Sequence, residues 1–370
     1  QKEWLNTLRF RYSYGVTGNI SFPSYQAITT YTYNQDNYYL HGMGAVPKQM
    51  GNKDLTWQST KTHNFGLNAD FLDSRFSITF DYYIKTTDDL LIDQTIPPSI
   101  GETTVKSNLG KQRNKGYEFD IAAVLVQNKD WRFSLKLNGS HNKNKILAIS
   151  NALAAANDEA NASSEGKPKV LYKEGQSTTA IYAVKSHGIN PMNGKEVFED
   201  LKGNLTYEWS AANKIVCGDT EPKVSGAFGA NADWKGFNIN VSFLYQCGGQ
   251  VYNQTLVDRV EDANLSWNVD RRVLKGRWKE PGDHTFFKDI KNRDRTEVSS
   301  RFVQDENVLQ FKSLSFSYSF PTELIQRWSL ERLKLTFQME DIFRISNVKR
   351  ERGLDYPFAR IFNVGLQVQF

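Results

Sequence analysis

Along much of the chain apolar and polar residues alternate one for one, the spacing that puts a strand's side chains on opposite faces. The cleanest run is 75–85, where Phe76, Ile78, Phe80, Tyr82 and Ile84 oppose Arg75, Ser77, Thr79, Asp81 and Lys85. Before it, 4–16 sets Leu8, Phe10, Tyr12 and Tyr14 against Arg9, Arg11 and Ser13, and 62–72 sets Phe65, Leu67, Ala69 and Phe71 against Asn64, Gly66, Asn68 and Asp70. After it, 115–127 presents Tyr117, Phe119, Ile121, Ala123 and Leu125 opposite Glu118 and Asp120. The next run, 130–141, presents Trp131, Phe133, Leu135 and Leu137 opposite Arg132, Ser134, Lys136 and Asn138. The pattern returns at 224–234, 237–247, 308–320 and 331–341, and it closes the chain with Phe362, Val364, Leu366, Val368 and Phe370. This predicts about ten antiparallel strands, each near the 9–11 residues that cross a bilayer at a tilt of about 45°.

The connections alternate in length. Asp73-Ser74, Asn128-Lys129 and Lys235-Gly236 make two-residue turns, the hairpin signal. Between them lie long polar insertions, chiefly 17–61, 144–223 and 248–306, and the stretch AANDEANASSEGK in the second is low in β-formers and predicts a mobile segment. Tight turns at one end and long loops at the other are the habit of outer-membrane barrels, whose short turns face the periplasm and long loops the exterior. On that orientation Phe370 ends in the periplasm. A soluble sandwich or propeller favours strands of about five or six residues with short turns at both ends. Lys or Arg on a lipid face would cost about 2–4 kcal/mol at the midplane, and the apolar faces above carry none. The predicted fold is all-β, a transmembrane antiparallel barrel wall.

Composition changes little in this picture. Aromatics are 13% of the 370 residues, with 17 Tyr and 23 Phe, as β-structure with aromatic girdles requires. The mean hydropathy of −0.56 and the lack of a long apolar run argue against helical spans, not against a barrel. A net charge of +5, scattered along the chain, gives no case for nucleic acid. The sequence opens directly into a strand pattern with no initiator Met or signal peptide, although a barrel must be exported. A mature or cleaved piece, or one chain of a larger assembly, is therefore expected.

Candidate chemistry is sparse. Tyr25, Tyr31, Tyr33, Tyr38 and Tyr39 crowd one loop among Asn, Gln and Asp. Their flat faces could bind sugar rings or peptide, although self-packing of the loop or contact with a lid protein is the simpler reading. His41, His63, His141, His187 and His284 lack metal-ligand spacing, and no hydrolase, Walker or dinucleotide motif occurs, so neither metal nor cofactor is expected. Asp88-Asp89 could hold a cation but reads more simply as a strand end. On the orientation above, Cys217 and Cys247 both fall on the outer, oxidising side of neighbouring strands, and a disulfide between them is expected.

Several segments, in order along the chain, resemble the SusC/RagA family of TonB-dependent outer-membrane transporters of Bacteroidetes. They are Ser13-Tyr14-Gly15-Val16-Thr17-Gly18-Asn19; Asn52-Lys53-Asp54-Leu55-Thr56-Trp57, similar to that family's N-P-D-L-K-W with Lys53 in place of Pro; and Asp81-Tyr82-Tyr83 with Lys85-Thr86-Thr87-Asp88-Asp89-Leu90-Leu91. Asn108-Leu109-Gly110, Arg113-Asn114-Lys115-Gly116-Tyr117-Glu118, Asn142-Lys143-Asn144-Lys145 and Gly188-Ile189-Asn190-Pro191 with Asn193-Gly194 follow. Arg301-Phe302-Val303, the run Leu309 to Leu314, and Tyr356-Pro357 before Arg360 complete the set.

The resemblance implies the C-terminal part of a plugged barrel of about 22 strands, with the plug, its TonB contact and about twelve earlier strands outside this chain. It implies import of oligosaccharides or peptides, a SusD-like surface lipoprotein as lid meeting the loops 144–223 and 248–306, and no covalent chemistry. It also implies that a terminal aromatic, Phe370 with Phe362 on the same face, is read by the barrel-assembly machinery. Two rivals come from other classes. An autonomous omptin-like barrel protease would need clustered Asp and His at the mouth, and a soluble glycan-binding β-protein would need no detergent.

Overall fold

A computed structural model describes residues 4–19, 25–39, 42–95, 104–108, 110–150, 166–349 and 360–370, with five further positions between 151 and 165. Ten strands form one antiparallel sheet: β1 (Leu5–Asn19), β2 (Gln58–Phe71), β3 (Phe76–Asp88), β4 (Gly110–Gln127), β5 (Trp131–Ile149), β6 (Val224–Trp234), β7 (Phe237–Tyr252), β8 (Val303–Ser319), β9 (Arg332–Ser346) and β10 (Phe362–Gln369). Each pairs only with its chain neighbours, so the sheet is a meander, and β1 and β10 are its two edges.

The alternation sets the register. Phe65 of β2 lies between Tyr12 of β1 and Tyr82 of β3, and Tyr82 in turn faces Tyr117 of β4, so one apolar row runs across four strands. On the other half of the sheet, Phe228, Phe243, Phe311 and Phe343 form a second row across β6 to β9, with ring centroids 4.9, 4.5 and 5.5 Å apart in turn. These aromatics lie on the outward face, where large apolar side chains stay exposed: Tyr12 at 59%, Phe10 at 76% and Val364 at 73%. A soluble sheet would bury such a face under a second layer. Here none of the described residues forms such a layer.

Aromatic residues also bound that face at both ends. Near the tight turns Trp4 stacks on Phe71, Trp131 on Trp234, and Trp234 on Phe237. Near the long loops Tyr14 packs on His63 and Tyr117 on His141. Trp131 and His141 are ten residues apart (141 − 131). Ten residues cover about 33 Å of strand, or about 25 Å of height at a barrel strand's tilt, the height of an outer-membrane apolar band.

The turns form for local reasons. Lys235 (φ 42°) and Gly236 (φ 89°) take the paired left-handed geometry that suits a two-residue hairpin. Asn128 instead accepts from the backbone N–H groups of Asp130 and Trp131 at 3.0 and 2.8 Å, so its side chain closes the turn. Between β8 and β9 a helical turn, Thr322–Ile325, makes the connection longer than the others.

Strand ends differ from expectation at the loop side. β5 continues to Ile149 and β8 begins at Val303, beyond the apolar band, where period two is lost: Asn142–Lys145 is polar on both faces and Ile146–Ile149 apolar on both. A bulge between Val124 and Val126 also resets β4, so Val126, not Leu125, pairs with Phe133. The loops carry structure of their own: a ribbon of Thr30–Tyr39 with Gly42–Gln49, and another of Leu91–Thr95 with Thr104–Asn108. Most of the AANDEANASSEGK stretch, and Tyr356-Pro357, lie outside the described residues.

Candidate functional site

The inward face is polar from edge to edge. Arg11 donates to both carboxylate oxygens of Asp81 at 3.2 and 3.0 Å, and Asn64 adds a bond of 2.9 Å to the same group. Further along the wall Asn238 bridges Asn231 and Asp233 at 2.9 and 2.6 Å. The second group borders a hollow of about 530 Å³ over β5 to β7, lined by Arg132, Ser134, Lys136, Asn138, Asn231 and Asp233 among others. The hollow is shallow and open, suited to contact with a second body or hydrated solute rather than to enclosing a small ligand.

At the loop end the two largest insertions pack into one body. Its core is Val257, Val260, Ala263, Val273, Phe287 and Phe302, with Tyr252, Leu256 and Ile290 against it. The body is organised by Arg301, whose side chain is 3% exposed. Arg301 donates to Glu196 at 2.7 Å, to Glu261 at 2.9 Å and to the Phe286 carbonyl at 2.6 Å, and its guanidinium lies 4.4 Å from the Phe302 ring centre. Burial opposes its charge, yet Glu196 and Glu261 hold its pKa above the ordinary value. Burial pushes the Glu261 carboxyl up despite Arg301. Ser186 and Ser299 each donate to the other oxygen of Glu196 at 2.6 Å, so the network ties 186–199 to 261 and 299–301. Trp278 closes the join by donating to the Pro191 carbonyl at 2.8 Å, lying where Gly194 (φ 69°) leaves room for its ring.

The Arg-Phe-Val element seen in the sequence is thus the hub of the loop body; its partners Glu196 and Glu261 carried no sequence signal. Other elements converge too. Asn108 accepts from the Thr56 N–H at 2.8 Å and donates to the carbonyls of Thr56 and Asp89 at 3.0 and 2.8 Å, which joins the Asn52–Trp57, Asp88–Leu91 and Asn108–Gly110 segments.

Tyr31 and Tyr33 project from one side of their ribbon, opposite Pro47 and Ala45, at 61% and 71% exposure, and Tyr25 stands at a left-handed turn (φ 68°) whose carbonyl accepts from the Gln49 side chain of that ribbon at 3.1 Å. Tyr38 and Tyr39 end the ribbon opposite Met43 and Gly42, and their side chains lie outside the described residues. His41 is outside them as well. His141 bonds the Lys223 carbonyl at 2.6 Å and His187 bonds Glu199 at 2.6 Å. No group of three or more His, Cys, Asp or Glu able to hold a metal occurs among the described residues.

The expected Cys217–Cys247 disulfide is not formed: both are free thiols. Cys217 belongs to the small ribbon Lys214–Asp219, where its thiol donates to the Ala183 carbonyl at 3.4 Å and burial pushes its pKa up. Cys247 is in β7 opposite Val224 and exposed. The insertion folds back as its own layer, so Cys217 never joins the strand beside Cys247. Phe370 and Phe362 are exposed on the outward face at 85% and 56%.

A sheet apolar and uncovered on one face, polar on the other, banded by aromatics and looped at one end is the wall of a membrane-spanning β-barrel. The chain belongs to the TonB-dependent receptor-like β-barrel family, whose description matches residues 2–273. A TonB-dependent receptor of Formosa agariphila is 27% identical over 99% of this chain and 40% of its own length. The TonB-dependent receptor SusC of Bacteroides thetaiotaomicron is 24% identical over 99% of this chain and 38% of its own. Among solved structures, that of the RagAB peptide transporter superposes with a TM-score of 0.83 at 24% identity, covering 100% of this chain and 42% of the matched one, a likeness of fold. The chain spans about two fifths of the length of the curated relatives it matches.

Proposed function

We propose that this chain supplies barrel wall and outer loops to a SusC-like, TonB-dependent importer in the outer membrane of a Bacteroidetes-like bacterium. The carrying observation is the two-faced sheet: an uncovered apolar band about 25 Å high outside, and the polar wall of Arg11, Asp81, Asn64, Asn231 and Asp233 inside. A plug outside this chain would rest on that wall and be drawn by TonB, and the remaining strands of the barrel would continue from the edges β1 and β10. The cargo class is oligosaccharide or peptide. RagAB is a peptide importer by name, which favours neither at this identity.

The loop body is the seat for a SusD-like lid lipoprotein. Met192, Leu201, Leu205, Trp267 and Leu274 are each 64% exposed or more on it, and large apolar side chains held open to solvent suit a protein partner. Tyr25, Tyr31, Tyr33, Tyr38 and Tyr39 stand in the same role, as lid contacts or weak cargo contacts. Phe362 and Phe370 supply the terminal aromatics for barrel assembly. None of these roles needs catalysis, a metal or a cofactor.

The test is uptake of labelled oligosaccharides and peptides by cells with and without the gene, before and after collapse of the proton-motive force. Loss of uptake of one class in both cases is expected. Uptake that survives deletion overturns the proposal. Trp267→Asp with Leu274→Asp should release a co-purifying lipoprotein, and an undiminished yield of that partner would remove the lid surface from these loops.

A further inference from the structure

On the outward face, immediately above the loop-end aromatic row, two cations on β4 face two on β5. Lys115 lies directly opposite Lys143, and Arg113 directly opposite Lys145. Their outward direction follows from the alternation: Tyr117, two residues below Lys115, packs on His141, two residues below Lys143, at 5.1 Å. The intervening Asn114, Asn142 and Asn144 bond one another on the inward face.

Like charges opposite each other on neighbouring strands repel, so this square is unfavourable unless an anion sits in it. Among the described residues no protein anion does. Asp88, the carboxylate next along the face, is engaged by Lys111 at 2.8 Å and Lys61 at 3.4 Å. Arg113 bonds only the Thr86 hydroxyl, at 3.4 Å, and none of the four has a carboxylate within ion-pair distance among the described residues. Lys115, Lys143 and Lys145 are exposed.

The height of the square decides what fills it. Two residues above Tyr117 and His141 is about 7 Å along the strand, just beyond the interfacial aromatics that mark headgroup level. Opposed strands are about 5 Å apart at Cβ, so the square spans roughly 5 by 7 Å, wide enough for a phosphate to accept from cations on both strands. We propose that Arg113, Lys115, Lys143 and Lys145 form a binding site for the phosphate of a phosphorylated glycolipid in the outer leaflet. This rests on the membrane-barrel reading of the sheet, since only there does the square meet a lipid headgroup. A bound lipid would offset the repulsion and brace β4 against β5 where both strands leave the membrane.

The intact transporter, reconstituted in phosphatidylcholine nanodiscs, would be titrated with fluorescent diphosphoryl lipid A and with its dephosphorylated form. Wild type should prefer the phosphorylated lipid. Lys115→Gln, Lys143→Gln and Lys145→Gln together should weaken binding about a hundredfold, at about fivefold per cation. The same lysines changed to Arg should retain it. Lys129→Gln with Lys235→Gln, at the tight turns, is the control and should bind as wild type. Binding by the triple variant within about threefold of wild type, or equal binding of both lipids, would overturn the assignment. Displacement by millimolar inorganic phosphate would make this a free-anion site and equally overturn it. Flotation with phosphatidylcholine vesicles separates the two levels: protein that floats but ignores lipid phosphate refutes this site alone, whereas protein that fails to float refutes the barrel reading and the site together.

Discussion

Leu137→Arg places a charge on the outward face where the cost should be greatest. Leu137 lies between Ile121 of β4 and Phe228 of β6, six residues above Trp131 (137 − 131) and four below His141 (141 − 137). At about 3.3 Å per residue and a tilt near 40°, that is about 15 Å from one aromatic row and about 10 Å from the other, near the middle of the apolar band. An Arg at that depth costs about 2–4 kcal/mol, a factor of about 30 to 1,000 in the folding equilibrium. If water met this face, a residue already 37% exposed would tolerate the change, within about 0.5 kcal/mol. An inward position of the same strand is the control: Ser134→Arg adds the same charge to a wall that already holds Arg132 and Lys136. Urea titration of the intact protein in phospholipid vesicles, followed by tryptophan fluorescence, measures both. A neutral Leu137→Arg, or a larger loss from Ser134→Arg, would refute the assignment of faces.

Three further outcomes follow from particular contacts. Arg301→Met leaves Glu196 and Glu261 buried without their cation. It should loosen the loop body by about 3–5 kcal/mol, seen as faster hydrogen exchange across 253–302 while the sheet stays protected. Gly139→Val should destabilise the β4–β7 region, since a Cβ there would lie 2.5 Å from the Phe119 ring and 2.6 Å from the Tyr245 hydroxyl, and a lower urea midpoint would register it. In the ribbon around 186–206, Lys185 first and His187 second hold the Glu199 carboxyl below its ordinary value of 4.5. A depressed carboxylate contributes stability above the unfolded value and loses it as pH falls through the folded one. Proteolysis of that ribbon should therefore accelerate as pH falls below the ordinary carboxyl value of 4.5, and Glu199→Gln should remove that dependence.

How much could be read from the sequence depended on how local the cause was. Period-two alternation is written residue by residue, so all ten sheet strands and the hairpin turns at Asn128 and Lys235 were legible. The strand extensions Asn142–Ile149 and Val303–Asn307 were not, because period two fails there: Asn142–Lys145 and Gln304–Asn307 are polar on both faces, and Ile146–Ile149 is apolar on both. The loop body was hidden for a different reason. Arg301 finds Glu196 and Glu261 across 105 and 40 residues, and a lone Glu in a polar loop looks like solvent-facing charge. The cysteines misled because sequence order gave their side of the sheet but not that 214–219 leaves it to pair with Ala180–Val184. Lys143 and Lys145 could be placed on one face from sequence alone; only the register set Lys115 and Arg113 opposite them.

The most direct test of the two-faced wall is a fluorophore scan along β5. Single cysteines would be placed from Arg132 to His141 in a background of Cys217→Ser and Cys247→Ser, labelled, and studied with the intact protein in bilayers. With Gly139 left unchanged, because a Cβ there would clash with Phe119 and Tyr245, nitroxide lipids should quench 133, 135, 137 and 141, while aqueous iodide should quench 132, 134, 136, 138 and 140. Quenching by iodide alone at every position, with none from the lipids, would contradict a membrane-spanning wall.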